Sequence, residues 1–312
     1  MKKYCAINIG SNSSKMLVAE CQDNVMISEV KISKMANDIF VTGLGEEVNT
    51  TGRLTERGIK ATVGAVKIFV ETALELCVED VWITITAAGR KAVNTDELAG
   101  CILKETGINI EILPYTEEAR LAVTGVLGSN VLCGTNIADV MVIDTGGAST
   151  EFIRMKDEIS AATIDVGALT LTNEYLVSNP PEAEEIARMN EDIDKHLLKV
   201  KSGDPITKVI AVGGAIASLA MVRLGAKGLY EDIHGICLPI AYVESILEDF
   251  SKKSYHELKK IPRMPEGRHT TIFAGISILH RCMKAFYVDE IVISYAGILE
   301  GMIMDMAQIK MS

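Results

Sequence analysis

Short apolar runs bounded by glycine, serine and asparagine alternate along this chain with longer stretches whose apolar residues recur at helical spacing. Tyr4 to Gly10 (YCAINIG) reads as a buried strand, Gly10-Ser11-Asn12-Ser13 as a turn, and Lys15 to Cys21 as a second strand. Val25 to Lys34 is expected to add a third, giving a meander. Over residues 53–79 the apolar positions Ile59, Val63, Val66, Val70, Ala73 and Leu74 follow a helical period, with Thr55 as N-cap and Glu56 and Glu71 on the outer face. A strand (Val81 to Thr86), a helix near 95–106 and a strand (Ile108 to Leu113) follow. The order then restarts. Strands are expected at Asp139 to Gly146, Ser149 to Met155 and Glu158 to Val166, then helices from Leu169 and from Pro181 to Val200. Lys208 to Gly214 is a strand entering a helix at Ala215; two more helices, a strand from Glu290 to Ser294 and a terminal helix from Gly297 complete the chain.

The two openings align without a gap: INIGSNSSKMLV at 7–18 on IDTGGASTEFIR at 143–154. Asn8 falls on Asp144, Gly10 on Gly146, Ser13 on Ser149, Ser14 on Thr150 and Lys15 on Glu151. The same element order follows each, which implies duplication of a βββαβαβ-type half. The expected fold class is therefore α/β, built from two duplicated halves.

In each half a strand runs into a tight turn rich in small residues. Glycine lets a ligand approach the backbone, and consecutive amides in such a turn form an anion-binding concavity. Gly10, Ser11, Asn12, Ser13 and Lys15 in the first turn, and Gly146, Gly147, Ala148, Ser149 and Thr150 in the second, are candidate phosphate ligands. Taken singly, either turn is ordinary hairpin chemistry; two at equal positions favour a shared binding role. Arg90, in Gly89-Arg90-Lys91 beyond the strand Val81 to Thr86, is placed to pair bidentately with a phosphate or to sit solvated at a helix start. Gly213 and Gly214 open a helix with bare amides that suit a nucleotide or a distal phosphate, or equally close strand–helix packing. Glu117 and Glu118 open another helix, where acidic residues suit the macrodipole and where one could also serve as a base.

The formal net charge of −11 makes binding through an overall positive field unworkable, so nucleic acid is not an expected partner. Lys252, Lys253, Lys259, Lys260, Arg263 and Arg268 crowd Ser251 to His269, either as a solvated surface or as a track for a polyanion. Seven single cysteines without a C-x-x-C pair argue against a disulfide framework and a zinc site, and the five histidines show no ligand spacing. No apolar run suggests a signal peptide or a membrane span, so the expected location is the cytoplasm, with no membrane partner.

Six stretches, AINIGSNSSKMLV (6–18), ITAAGRKAVN (85–94), YTEEARLAVTGV (115–126), VIDTGGASTEF (142–152), IDVGALTLTNEYL (164–176) and VIAVGGAIASLA (209–220), together with ISYAGILEGMI (293–303), resemble the exopolyphosphatase / guanosine pentaphosphate phosphatase family. The resemblance implies two actin-like (ribonuclease H-like) domains with an interdomain cleft, residues 1–124 joined by the C-terminal helix 298–312 and residues 125–297. It implies hydrolysis of a terminal phosphoanhydride of inorganic polyphosphate or guanosine pentaphosphate, with Mg²⁺. It carries the catalytic Glu onto Glu118, with Glu117 beside it, and metal binding onto Asp144, Glu151 and Asn8. The chain departs from the family pattern at Asn8 (usually Asp), Lys15 (often Arg), Ala148 (usually Gly), Thr170 (often Arg) and Tyr295 to Gly301, which lacks the family's Asp and two arginines. A weakened phosphate-binding sensor and a small-molecule kinase of the same superfamily are the alternative readings. The reading leaves a homodimer open.

Overall fold

A computed structural model of the chain describes residues 1–129, 131, 140–155, 159–200, 206–225 and 231–310. Two compact units divide it, Met1–Asn130 with Ala296–Ser312, and Val131–Tyr295.

The first unit begins with β1 (Lys2–Ile9), β2 (Ser13–Cys21) and β3 (Ile32–Val41). It continues through α1 (Val48–Thr51), α2 (Glu56–Glu75), β4 (Asp80–Ile85), α3 (Ala87–Lys91), α4 (Thr95–Thr106), β5 (Ile110–Ile112) and α5 (Tyr115–Leu127). The sheet runs β3-β2-β1-β4-β5, with β1 antiparallel to β2 and parallel to β4. Successive strand residues point to opposite faces. On one face Cys5, Ile7 and Ile9 pack with Val66 and Phe69 of α2 and Ile102 of α4. On the other, Tyr4, Ala6 and Leu17 meet Leu121 of α5. The α2 N-cap is Thr55, whose hydroxyl accepts from the Gly58 N–H at 3.0 Å.

The second unit repeats the plan: β6 (Val140–Thr145), β7 (Thr150–Met155), β8 (Ile159–Ile164), α6 (Ala168–Tyr175), α7 (Ala183–Leu197), β9 (Lys208–Gly213), α8 (Gly214–Leu224), β10 (Cys237–Pro239), α9 (Ile240–Phe250), α10 (Tyr255–Lys259), α11 (Ile272–Ala285) and β11 (Glu290–Ile293). Its sheet runs β10-β11-β9-β6-β7-β8, and β6 is antiparallel to β7 and parallel to β9, as β1 is to β2 and β4. The chain then returns to the first unit as α12 (Ile298–Met306), which adds Leu299, Met302 and Ile303 to the face covered by α5. The two helices cross with glycine on each side: a Cβ at Gly125 would lie 1.9 Å from Gly297 O, and one at Gly301 1.9 Å from Leu121 O.

The expected third strand over Val25 to Lys34 is corrected. Residues 27–29 form a 3₁₀ turn and the strand is β3, reaching Val41. β10 was not read, being three residues long with Pro239 at its end, and α9, α10 and α11 stand where two helices were expected. The expected strand starts at Asp139 and Glu158, and Cys133, fall outside the described residues.

Candidate active site

The first turn is closed by the Gly10 N–H donating to Ser13 O at 3.0 Å. Its carbonyls are held from behind. The Gly45 N–H donates to Ser11 O at 2.7 Å, and the N–H groups of Thr42 and Gly43 donate to Asn12 O at 3.0 and 3.1 Å. In a planar trans peptide the N–H opposes the preceding C=O, so the Asn12 amide points away from the 42–45 segment. The hydroxyls of Ser11 and Thr42 are buried without a hydrogen-bond partner, which is unusual in a folded interior and leaves both able to bond a polar group brought to the turn.

The second turn has the same closure, Gly146 N–H to Ser149 O at 2.9 Å, with a different backing. Here α6 starts behind it: the Ala168 N–H donates to Gly146 O (3.0 Å), and the N–H groups of Leu169 and Thr170 donate to Gly147 O (2.8 and 3.1 Å). The loop carbonyls thus cap a helix start, and the Gly147 and Ala148 amides are turned the other way. Gly167 permits the approach, since a Cβ there would lie 2.3 Å from the Ala148 nitrogen. Of the hydroxyls expected to donate to phosphate, that of Thr150 instead donates to Val166 O at 2.7 Å, while the Thr145 hydroxyl is buried without a partner.

Two residues behind each turn closure sits a cross-strand pair. Asn8 faces Lys15 in the first unit and Asp144 faces Glu151 in the second. Residues opposite one another in a sheet share a face, so Asp144 and Glu151 present two carboxylates together, and Glu151 is only 2% exposed. Like charges at such positions repel unless a cation lies near. Among the described residues no group of three or more His, Cys, Asp or Glu forms a metal cluster. Two carboxylates with water and substrate oxygens are nevertheless the donor set that Mg²⁺ accepts, so the pair fits that ion. Asn8 lies in the other unit, 8% exposed, and its Oδ1 accepts from the Thr84 hydroxyl at 3.1 Å.

Arg90 and Glu118 come together within the first unit. Gly89 lets α3 settle on β4, because a Cβ there would lie 2.7 Å from the Ile85 side chain. That puts Arg90 under the first turn of α5. Its Nη1 donates to Leu113 O at 2.7 Å and to Glu118 Oε2 at 2.6 Å, and its Cζ lies 3.7 Å from the centre of the Tyr115 ring. Nε and Nη2 are buried without a partner. Glu117 points elsewhere. Arg120 grips both its oxygens, with distances down to 2.6 Å, and reaches Asp305 of α12 with Nη2 at 2.6 Å. That guanidinium holds the Glu117 carboxyl below the usual carboxylate range.

At the mouth of α8, Gly213 has φ of +129°, and a Cβ there would lie 2.4 Å from Thr145 O. A Cβ at Gly214 would lie 2.5 Å from Nη2 of Arg268, a buried residue. Arg268 is therefore no part of an exposed basic track, and Lys252 and Lys253 pair with Glu248 and Asp249 one turn earlier. Sequence reading did not single out Gly45, Tyr115 or Gly167 as site builders, although Tyr115 and Gly167 lie in stretches that resemble the family, and it took Arg268 only as one of a basic cluster. Each matters through a neighbour distant in sequence.

Residues 25–310 match the Ppx/GppA phosphatase family. The chain is 24% identical to exopolyphosphatase 2 of Mycobacterium tuberculosis, covering 98% of this chain and 99% of that protein. It is also 24% identical to a guanosine-5'-triphosphate,3'-diphosphate pyrophosphatase of Photobacterium profundum, covering 97% of this chain and 59% of that protein. The crystal structure of a Ppx/GppA family member from Aquifex aeolicus, 28% identical, superimposes with a TM-score of 0.79 over 98% of this chain and 97% of that one. Among the described residues no helix is long and apolar enough to cross a membrane. With a duplicated α/β fold, paired glycine turns and matches running nearly end to end, the chain belongs to the Ppx/GppA phosphatase family.

Proposed function

We propose that this chain hydrolyses the terminal phosphoanhydride of a polyanionic substrate, inorganic polyphosphate or guanosine pentaphosphate, the two classes named for its relatives. The observation that carries the reading is Arg90. One guanidinium holds Glu118 through Nη1 and keeps its Nε–Nη2 edge buried and without a partner. That edge matches two oxygens of a phosphoryl group, so a bound phosphate would sit beside the carboxylate that activates its nucleophile.

In this reading Glu118 accepts a proton from water as the water oxygen bonds to the terminal phosphorus. The bond from phosphorus to the bridging oxygen breaks, and the shortened chain leaves with that oxygen and its electron pair. Arg90, Lys15 and the turn amides stabilise charge on the phosphoryl oxygens, the principal means of catalysing such a transfer. Asp144 and Glu151 hold Mg²⁺, which when bound supplies further neutralisation of phosphate charge. Asn8 offers a neutral amide to the first turn's ligand. Gly213 and Gly214 receive a distal phosphate or a nucleotide.

Phosphate release from polyphosphate, guanosine pentaphosphate and ATP, assayed side by side with Mg²⁺ for the wild type and Glu118→Gln, tests the reading. General-base loss is expected to lower turnover by about 10²–10⁴-fold with binding retained. A Glu118→Gln variant that keeps most activity rejects Glu118 as the base. Binding without turnover by the wild type rejects hydrolysis in favour of a sensor.

A further inference from the structure

If Arg90 both holds the base and receives the phosphate, its guanidinium plane has to be fixed in space. Its two hydrogen bonds both run from the same nitrogen, Nη1, to Leu113 O and to Glu118 Oε2. A swing that bends them at that one corner carries the Nε–Nη2 edge with it. No other hydrogen bond holds Nε or Nη2.

What restrains the swing is a ring. Tyr115, the first residue of α5, lies under the guanidinium with its centroid 3.7 Å from Cζ, close to van der Waals contact and well inside cation–π range. The contact brings the ring against the centre of the guanidinium, away from the corner at which the two hydrogen bonds act, so it opposes displacements that would bend them. The ring is itself anchored. Pro114 fixes the backbone just before it, and the Leu113 N–H donates to Ile85 O at 3.0 Å, tying this segment to the end of β4, where α3 and Arg90 begin.

We propose that Tyr115 is a positioning residue for the hydrolytic reaction: by stacking on Arg90 it aims the Nε–Nη2 edge at the substrate phosphate and keeps Nη1 on Glu118. This inference rests on the roles given to Arg90 and Glu118 above, and it makes the ring face, not the phenol hydroxyl, the working part of the residue.

The test is a double-mutant cycle. Phosphate release from inorganic polyphosphate, and from guanosine pentaphosphate in parallel, is measured for the wild type, Tyr115→Leu, Tyr115→Phe, Arg90→Met, and Tyr115→Leu combined with Arg90→Met. Thermal unfolding midpoints confirm that each variant is folded at the assay temperature. Leucine fills much of the ring's volume without a π face, so Tyr115→Leu is expected to lower kcat/KM by about tenfold. Tyr115→Phe, which restores the face, is expected to recover most of that loss. On the Arg90→Met background Tyr115→Leu is expected to cost nothing further, because the ring acts only through the guanidinium. An equal loss in both backgrounds, or Tyr115→Phe as impaired as Tyr115→Leu, overturns the proposal. If Arg90→Met alone retains full activity, the underlying reading of Arg90 fails instead, a result distinct from either of those.

Discussion

Replacing Arg90 by lysine keeps the charge and removes the fork. Wild-type Nη1 serves Leu113 O and Glu118 at once, and the Nε–Nη2 edge is left for an oxyanion. A lysine ammonium is a compact head on a flexible stem; it can reach one of these acceptors but cannot span two and stack on Tyr115 as well. Hydrogen bonds to charged groups contribute about 1.5–3 kcal/mol each. Losing the bidentate grip on the phosphoryl group, with part of one bond regained by the ammonium, therefore leaves a deficit of about 3 kcal/mol. If that deficit is expressed in the transition state, kcat/KM falls by about two orders of magnitude. Stability is less affected, because the retained charge still neutralises Glu118, whose side chain is 13% exposed; the lost stack corresponds to about 1 kcal/mol and a shift of about 2–4 °C in Tm. The assay is steady-state phosphate release at several substrate concentrations, with calorimetric unfolding on the same preparations. An Arg90→Lys enzyme within about threefold of wild type in kcat/KM, a difference under about 1 kcal/mol, would refute the bidentate argument.

Gly301→Ala places a methyl 1.9 Å from Leu121 O, a backbone atom that cannot swing aside, so α5 and α12 have to separate; overpacking of this kind costs about 1–3 kcal/mol, and an unchanged urea midpoint would show that the crossing has slack. Asp144→Asn removes one of the two facing carboxylates and is expected to weaken Mn²⁺ or Mg²⁺ binding by about tenfold or more in calorimetric titration, with titrations matching wild type counting against the pair as ligands. Glu117 has its carboxyl held below the usual range by Arg120, so its stabilising effect is complete above the unfolded-state pKa and disappears as pH falls through the lower folded one. The stability gap between wild type and Glu117→Gln should accordingly be full at neutral pH and close only below about pH 4, and a gap independent of pH would mean that packing, not the ion pair, sustains it.

Most of the architecture was legible because buried strands and one-sided helices impose distinct periods on a sequence. β1 and β6 are buried along most of their length and read as unbroken apolar runs. Of the positions read at helical spacing in α2, Val66, Val70 and Ala73 are buried, with Phe69 beside them, while Leu74 is exposed. β3 escaped because its least exposed residues are Ile32, Ala36 and Phe40, spaced by four, on an edge strand whose pairing with β2 slips between Val18 and Ala19. Slippage of that kind erases the alternation by which strands are recognised. The turns were legible as turn chemistry, but the partners of their carbonyls were not: Gly45 and the start of α6 reach Ser11 and Gly147 from 34 and 22 residues away. The Arg90–Tyr115–Glu118 arrangement likewise depends on where α3 and α5 come to rest, which no local pattern encodes.

Duplication explains how an acidic protein can treat a polyanion as its substrate. Both halves build the same closure, Gly10 to Ser13 and Gly146 to Ser149, with hydrogen bonds of 3.0 and 2.9 Å, and both set a polar cross-strand pair two residues behind it. The backbone cradle is therefore the common inheritance, and the side-chain pair is the part that diverged. In the first unit the pair is an amide and an ammonium, Asn8 and Lys15; in the second it is two carboxylates, Asp144 and Glu151. The Asn8 Oδ1 accepts from the Thr84 hydroxyl and keeps a second lone pair, while its nitrogen is a donor suited to anions. On the proposed function the first turn would meet phosphate oxygens directly, and the carboxylates beside the second would hold Mg²⁺, which would offset their negative charge. A net charge of −11 then ceases to be an obstacle: the field that repels a polyanion at long range is screened beyond about 8 Å at physiological salt, and within that distance only the local pair and the turn amides count.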